Sequence, residues 1–289
     1  MKILIAGAAG QVGRALMSCI PQGAIVQGFT HAELDIGDAA GVMEQVRAGR
    51  PDVIICAGAY TAVDRAESEP ELAARANIEG PRNLAKSARE VGARLVHIST
   101  DFVFDGTHST AYRPDSPTNP LSVYGKTKLA GEQAVSSILP DRSAIVRSAW
   151  LYAARGNNFM RTMLRLMEAK GHVRVVADQV GTPTAATSLA RVLWTLAARA
   201  DLSGVYHWTD AGVASWYDFA VAIAEEAAAL GLLPATVRVD PITTAEYPTP
   251  ARRPTFSVLD SRASLAALAL TPQHWRAALR TELKELRHA

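Results

Sequence analysis

Tyr124, Lys128 and Thr100 have the types and spacing for carbonyl chemistry. In Leu121-Ser122-Val123-Tyr124-Gly125-Lys126-Thr127-Lys128-Leu129-Ala130-Gly131-Glu132, Tyr124 and Lys128 stand at i and i+4, so on a helix both point to one face. Lys126, at i+2, points to another. A phenol with its ordinary pKa of about 10 is a poor acid–base group at neutral pH, and a nearby ammonium favours its ionised form. That pairing suits proton donation to a carbonyl oxygen as hydride reaches the carbon, with the lysine stabilising the phenolate left behind. Upstream, His97-Ile98-Ser99-Thr100-Asp101-Phe102-Val103-Phe104-Asp105-Gly106 sets polar groups at the end of an apolar run. There Thr100 can donate a hydrogen bond to a substrate oxygen, or it serves only the turn that follows.

A third feature is Gly7-Ala8-Ala9-Gly10-Gln11-Val12-Gly13, a GxxGxxG turn between an apolar run and a helical one. The first glycine permits the tight turn, Gly10 lets a pyrophosphate approach the main chain, and Gly13 lets helix and strand pack closely. The amide groups of Gln11 and Val12 open the helix and face an anion. The second apolar run ends Gly28-Phe29-Thr30-His31, without the carboxylate that holds a ribose diol. His31 and Arg47 are distant candidates for a 2′-phosphate, so the sequence leans slightly to NADPH, with NADH as the alternative. Asp35-Ile36 is placed to touch the adenine or its ribose.

The elements that must position these residues alternate. Ile3–Ala6, Ala24–Phe29, Asp52–Ala57, Arg94–Ile98 and Ser143–Arg147 read as strands. Helices are expected over 11–18, 38–47, 71–91 and 123–138. Continuously apolar strands signal a sheet covered on both faces, and the βα rhythm predicts a Rossmann-like, doubly wound parallel sheet in an α/β fold. The rhythm loosens after Trp150. Helices are expected over 158–170, 184–199 and 216–230, the last capped by Ser215, and Val173–Val176 and Val205–Trp208 read as strands. The segment Pro234–Pro254 carries five prolines, which suits loops and edge strands over a substrate. Pro272 fits the first turn of a terminal helix reaching Arg287. The expected division is a dinucleotide-binding domain over 1–149, with a strand and helix returning around 173–204, and a smaller interleaved substrate lobe from 150–172 and 205–289.

With 30 basic against 28 acidic residues and 48% hydrophobic content over 289 residues, the chain can bury a large core, and its charge calls for neither nucleic acid nor a membrane surface. No compact His/Cys/Asp group suggests a metal, no GxSxG elbow suggests a hydrolase, and no window reaches the ~20 apolar residues of a membrane span. Cys19 and Cys56 read as buried thiols of a reducing compartment, and a cytoplasmic location is expected.

These motifs together resemble the extended short-chain dehydrogenase/reductase superfamily and, within it, the dTDP-4-dehydrorhamnose reductase family, along nearly the whole chain. The likeness is carried by Ile5–Gly13, by the strand-end loop Gly58-Ala59-Tyr60-Thr61-Ala62-Val63-Asp64-Arg65-Ala66-Glu67, by Ser99–Phe104 and by Tyr124 with Lys128. It implies that Tyr60, Thr61 and the Ala57–Gly58–Ala59 backbone border the cofactor, and that Tyr124 and Lys128 contact it too, Lys128 holding the nicotinamide ribose. It also implies that Arg147–Tyr152, Gly156–Phe159, Asp178–Thr184 and Arg252–Pro254 line a sugar-nucleotide site. Asp101, Phe102, Trp150, Asn158, Gln179, Arg252 and Arg253 are the implied substrate contacts. Arginine forks suit phosphate oxygens, and Trp150 suits an apolar sugar face. The implied reaction reduces a dTDP-4-keto-6-deoxy sugar nucleotide with reduced nicotinamide. Alternatives are a related epimerase or dehydratase, or a non-catalytic subunit that keeps the fold; Thr100-Asp101-Phe102 supplies only one of a dehydratase's two acidic residues. The family often has asparagine where Cys56 stands. Some members also carry a glutamate after the third turn glycine that helps form a magnesium-linked dimer. Arg14-Ala15 offers no carboxylate there, which leaves monomer or homodimer as the expectation.

Overall fold

The computed structural model describes residues 1–287. Six parallel strands make the central sheet: β1 (Lys2–Ala6), β2 (Ile25–Phe29), β3 (Val53–Cys56), β4 (Arg94–Thr100), β5 (Ser143–Ser148) and a late strand, Gly204–His207, in the order β2-β1-β3-β4-β5 and then the late strand. Strands β3, β4 and β5 are buried at every residue, as continuous apolar runs require when helices cover both faces. One face packs against α1 (Gln11–Ser18) and a later helix, Ala186–Ala198; Leu16, Ile55, Val96, Leu189 and Trp208 share that core. The other face packs against α2 (Ala39–Gly49) and two further helices, through Val42, Ile54, Leu84, Leu95 and Val135.

Between β3 and β4 the expected single helix over 71–91 is broken. Two short helices, α3 (Val63–Ala66) and α4 (Pro70–Ala74), run into a π turn at Arg75–Glu79 and then α5 (Gly80–Val91). Pro81 supplies the reason. It has no N–H for the carbonyl of Asn77, and its ring would clash with that group in a regular helix. The chain instead widens by one residue, and the Gly80 amide bonds to the Arg75 carbonyl. Such bulges recur at functional sites.

Helix α6 (Val123–Ile138), capped by Ser122, lies over β4 and β5. It is pinned by a buried ion pair in which the Arg147 guanidinium donates to Glu132 at 2.7 Å. Arg147 also stacks its charge over the Phe104 ring at 5.3 Å and donates to the Pro114 carbonyl.

A second core holds Tyr152, Met160, Phe219, Leu279 and Leu283. Around it lie β6 (Leu151–Tyr152), α7 (Phe159–Lys170, capped by Asn158), β7 (His172–Val176), β8 (Val180–Gly181) and β9 (Thr184–Ala185). The helix Ala186–Ala198 is α8 and the late sheet strand Gly204–His207 is β10. Then come β11 (Ala214–Ser215), α9 (Trp216–Ala229), β12 (Arg238–Ile242), α10 (Arg262–Leu268) and α11 (Trp275–Arg287). Ser215 caps α9 in a reciprocal box with Asp218, as its sequence position predicts.

Four expectations need correction. The strand near 173 does not rejoin the central sheet; β7 pairs in parallel with β12. Its residues alternate between exposed and buried, the pattern of a strand with one dry face. The sixth strand of the sheet is β10, which sequence reading placed in the second lobe. Pro272 precedes α11 rather than opening it, because Gln273 and Trp275 are tied as extended chain to Ala211. Cys19, at the C-terminal end of α1, is exposed; Cys56 alone is buried.

Candidate active site

In a 2-1-3 strand order, the crevice beyond the carboxyl ends of β1 and β3 is where the chain turns opposite ways, and open α/β sheets bind ligands there. A cleft of about 970 Å3 opens at that edge. Its floor is the glycine turn. Gly7 sits at φ +91°, and a Cβ on it would lie 2.5 Å from the Gly58 nitrogen, so the turn and the strand-end loop touch backbone to backbone. Gly10 lines the cleft and meets nothing nearer than the Gly7 carbonyl at 3.3 Å. Helix α1 has no side-chain cap and no acid in its first turn, which leaves its first amide groups and its positive end for an anion. Gln11 and Val12 line the cleft beside Gly10. Gly13 does not; it packs under the turn, where a Cβ would meet the Gly7 carbonyl at 2.1 Å. A bare helix start, glycine walls and an elongated cleft fit a dinucleotide pyrophosphate.

At one end of the cleft stand His31, Asp35, Ile36 and Arg75. Asp35 accepts from the Gly37 amide and pairs with Arg75 at 2.6 Å. Arg75 was not singled out in the sequence, since nothing in its neighbours marks it; the π turn brings it there. Arg47 is elsewhere, paired with Glu90 on the surface, which removes it as a 2′-phosphate candidate. Along the wall run Ala57, Gly58, Ala59, Tyr60 and Thr61, with the Tyr60 hydroxyl bonded to Glu69.

Thr100, Asp101, Phe102, Tyr124 and Lys128 line the middle. They meet because α6 comes very close to the turn after β4: a Cβ on Gly125 would lie 2.3 Å from the Phe102 carbonyl. The Tyr124 ring packs edge-on to Phe102, with centroids 5.7 Å apart. The Thr100 hydroxyl donates to the Asp101 carboxylate at 3.0 Å and accepts from the Phe102 amide. Desolvation pushes the Tyr124 phenol up to about 12, against a hydrogen bond with Thr100 and with help from the Asp101 charge. Burial pushes the Asp101 carboxyl up to about 6. Lys128 is held below its usual range by burial, and its Nζ donates to the Ile98 carbonyl at 2.7 Å. The expected depression of the phenol by Lys128 is therefore not present in the protein alone: the ammonium is spent on a backbone carbonyl, and burial dominates at the tyrosine.

At the other end, Trp150 takes a left-handed backbone, φ +47°, a strained state for a bulky residue and one that clusters at functional sites. Its indole stacks on Trp216 at 3.5 Å and 5°, over Gly181, where a Cβ would lie 2.7 Å from the indole ring. Trp216 was missed because in sequence it is only the first residue of a helix. Asn158 lines the cleft and donates to Gln11 at 2.9 Å, tying α7 to α1. Arg253 also lines it, but its fork is already bound to Asp64 at 2.9 and 2.8 Å. Two implied substrate contacts are not brought to the cleft. Gln179 is buried and donates to Thr244, and Arg252 is exposed and lines no part of it. The whole segment 178–184 stays out of the cleft, with Asp178 and Gln179 tied to Thr244 and Gly181 packed against the Trp150 indole, and of the two arginines it is Arg253 that lines it.

A glycine-floored dinucleotide cleft with a Thr–Tyr–Lys cluster at the sheet's carboxyl edge defines a short-chain dehydrogenase/reductase type of protein. The family model described as RmlD substrate binding domain matches residues 1–288. A dTDP-4-dehydrorhamnose reductase of Streptomyces griseus is 46% identical over 96% of this chain and 91% of its own. The crystal structure of a dTDP-4-dehydrorhamnose reductase from Clostridium acetobutylicum superposes with a TM-score of 0.93 at 41% identity, covering 99% of this chain and 100% of that one. One from Bacillus anthracis, in complex with NADP, gives 0.91 at 36% identity, covering 98% and 99%. The chain belongs to the dTDP-4-dehydrorhamnose reductase family. No helix among the described residues is long and apolar enough to cross a membrane.

Proposed function

We propose that this protein reduces the C4 carbonyl of a dTDP-4-keto-6-deoxy-L-sugar to give dTDP-L-rhamnose, with NADPH as the reductant and NADH as an alternative. The observation that carries the reading is the meeting of Thr100, Tyr124 and Lys128 in the same cleft as the uncapped glycine turn. Family membership and the NADP held by the Bacillus anthracis relative support it. Gly7, Gly10, Gln11 and Val12 would hold the pyrophosphate of the reduced dinucleotide, which would supply the hydride.

The chain's own groups do the rest. Tyr124, with its phenol pushed up to about 12, stays protonated through the neutral range and so is in the form that can donate to the C4 oxygen. Thr100, hydrogen-bonded within the same cluster, orients that oxygen. Lys128, buried and donating to the Ile98 carbonyl, shares the helix face of Tyr124, and its ammonium form would offset the phenolate once Tyr124 has given up its proton. Trp150, stacked on Trp216, gives the sugar end an aromatic wall, and Arg253, clasped by Asp64, is the guanidinium there for the diphosphate.

The test is Tyr124→Phe, which keeps the ring against Phe102 and removes the proton donor. Single-turnover oxidation of NADPH by a 4-keto sugar nucleotide should fall about 10²–10⁴-fold, with cofactor affinity little changed. Wild-type protein should consume reduced cofactor in proportion to substrate. An epimerase would leave the cofactor's absorbance unchanged over a turnover, and a non-catalytic subunit would transfer nothing.

A further inference from the structure

Asp64, Glu67 and Glu69 follow the cofactor-side loop, and each carboxylate is spent on a different neighbour. Glu69 accepts from the Tyr60 hydroxyl. Glu67 accepts from the Val123 amide at 2.8 Å, at the start of α6 beside Tyr124. Asp64 pairs with Arg253, 189 residues away in the chain. Arg253 lines the cleft and Asp64 does not, so the carboxylate backs the guanidinium from behind.

This pair is a two-pronged fork. Arg253 Nη1 donates to Asp64 Oδ1 at 2.9 Å and Nη2 donates to Oδ2 at 2.8 Å, while the Ala251 amide donates to Oδ1 at 3.2 Å. Nη1 also donates to Thr249 Oγ1 and to the Ala251 carbonyl. Residues 249–253 form neither helix nor strand, so these bonds, and not a backbone ladder, set where the guanidinium stands. Arg253 in turn holds the Asp64 carboxyl below its usual range. With side chains 21% and 38% exposed, such a pair adds little to stability. What it does add is orientation. A guanidinium is a planar fork of five N–H groups; gripped end-on by Asp64, it has a fixed plane and keeps its Nε edge for a phosphate oxygen.

The other side of Asp64 leads to the cofactor. Thr61 and Val63 line the cleft, and Asp64 follows Val63 directly in α3. We infer that Asp64 joins the two ligand sites: a dinucleotide resting on the loop at 57–61 fixes α3, Asp64 fixes the Arg253 guanidinium, and a nucleoside diphosphate then meets a cation already in place. The second ligand has less left to order, so each tightens the other by the same factor. The inference rests on the reading of Arg253 as the guanidinium for the diphosphate, and it makes Asp64 a positioning residue that touches neither ligand.

The probe is dTDP, which carries the diphosphate and no keto group, so it can be titrated with and without NADPH while no hydride moves. In wild-type protein, saturating NADPH should tighten dTDP at least about fivefold, and saturating dTDP should tighten NADPH equally. Asp64→Asn keeps the shape and removes the charge. It should bind NADPH alone within about threefold of wild type, bind dTDP weakly, and bring the ratio of dTDP affinities with and without NADPH to near one. Arg253→Lys keeps the cation but has no planar fork to share between Asp64 and a phosphate, so its ratio should fall likewise; should Asp64→Asn not fold, the ratio in Arg253→Lys decides in the same way. A purely structural role would lower the melting temperature and leave the ratio as in wild type. A ratio that survives in Asp64→Asn, or a wild-type ratio of one, overturns the joint. Arg253→Ala that binds dTDP as tightly as wild type overturns the diphosphate reading instead, and the joint with it.

Discussion

The three turn glycines do different work, and single methyl groups separate their roles. A Cβ on Gly13 would sit 2.1 Å from the Gly7 carbonyl and 2.7 Å from the Ala8 Cα, both backbone. Neither can swing aside, so Gly13→Ala must lift α1 off the turn, an overpacking that costs about 1–3 kcal/mol or more. Gly10 differs. Its φ of −70° and ψ of 172° suit any L residue, and a methyl there meets only the Gly7 carbonyl at 3.3 Å before entering the cleft. Replacing glycine by alanine in such a conformation stabilises by about 0.4–1 kcal/mol through the unfolded chain. The tight carbonyl contact offsets part of this, so Gly10→Ala should stay within about 1 kcal/mol of wild type. The same methyl occupies the space through which a pyrophosphate would reach the main chain.

Thermal unfolding with and without NADPH reads both effects. A ligand at 100 times its dissociation constant stabilises by about 2.7 kcal/mol, and tenfold weaker binding at the same concentration cuts this to about 1.4 kcal/mol. Gly10→Ala should thus melt near wild type when free and show about half of the wild-type cofactor shift or less. Gly13→Ala should melt lower even without cofactor. A full cofactor shift in Gly10→Ala would refute the placement of the pyrophosphate, and an undiminished melting temperature in Gly13→Ala would refute the packing argument.

Two other predictions concern buried charge. Glu132→Gln strands the Arg147 guanidinium in the interior and should cost about 3–5 kcal/mol by denaturant unfolding, whereas replacing both residues with apolar ones of similar volume should recover much of that loss. For Asp101, whose carboxyl burial pushes up to about 6, the folded protein holds the proton more tightly than the unfolded chain. Its contribution to stability is therefore full below pH ~4 and is lost as pH rises through about 6. Asp101→Asn should gain about 1–3 kcal/mol on wild type between pH ~4 and pH ~8; a pH-independent difference would show that Asp101 does not titrate with folding.

Much of this protein could be read from residue order because the decisive signals are local. Apolar runs set β1 to β5 to within a residue or two at most ends, and i,i+4 geometry put Tyr124 and Lys128 on one helix whose bounds, Val123–Ile138, the structure reproduces. A glycine turn between strand and helix announces its use wherever it occurs, since the steric and dipolar requirements lie within those few residues. What lay out of reach was every feature that depends on a partner distant in the chain. Whether β7 or β10 completes the sheet depends on which edge is free and how many faces are buried. Arg75 rather than Arg47 reaches the cleft because Pro81 forces a π turn, whose effect on direction no periodicity reports. Gln179 and its neighbours are held away from the cleft, and Arg252 turns away while Arg253 lines it, since side-chain direction outside regular elements follows contacts and not spacing. The Tyr124 phenol is high, not low, because desolvation by the surrounding chain outweighs an ammonium that burial has pointed at the Ile98 carbonyl. Sequence determined which groups could do the chemistry; packing alone decided what each one faces, since contact energies are short-ranged and act between segments that the chain separates.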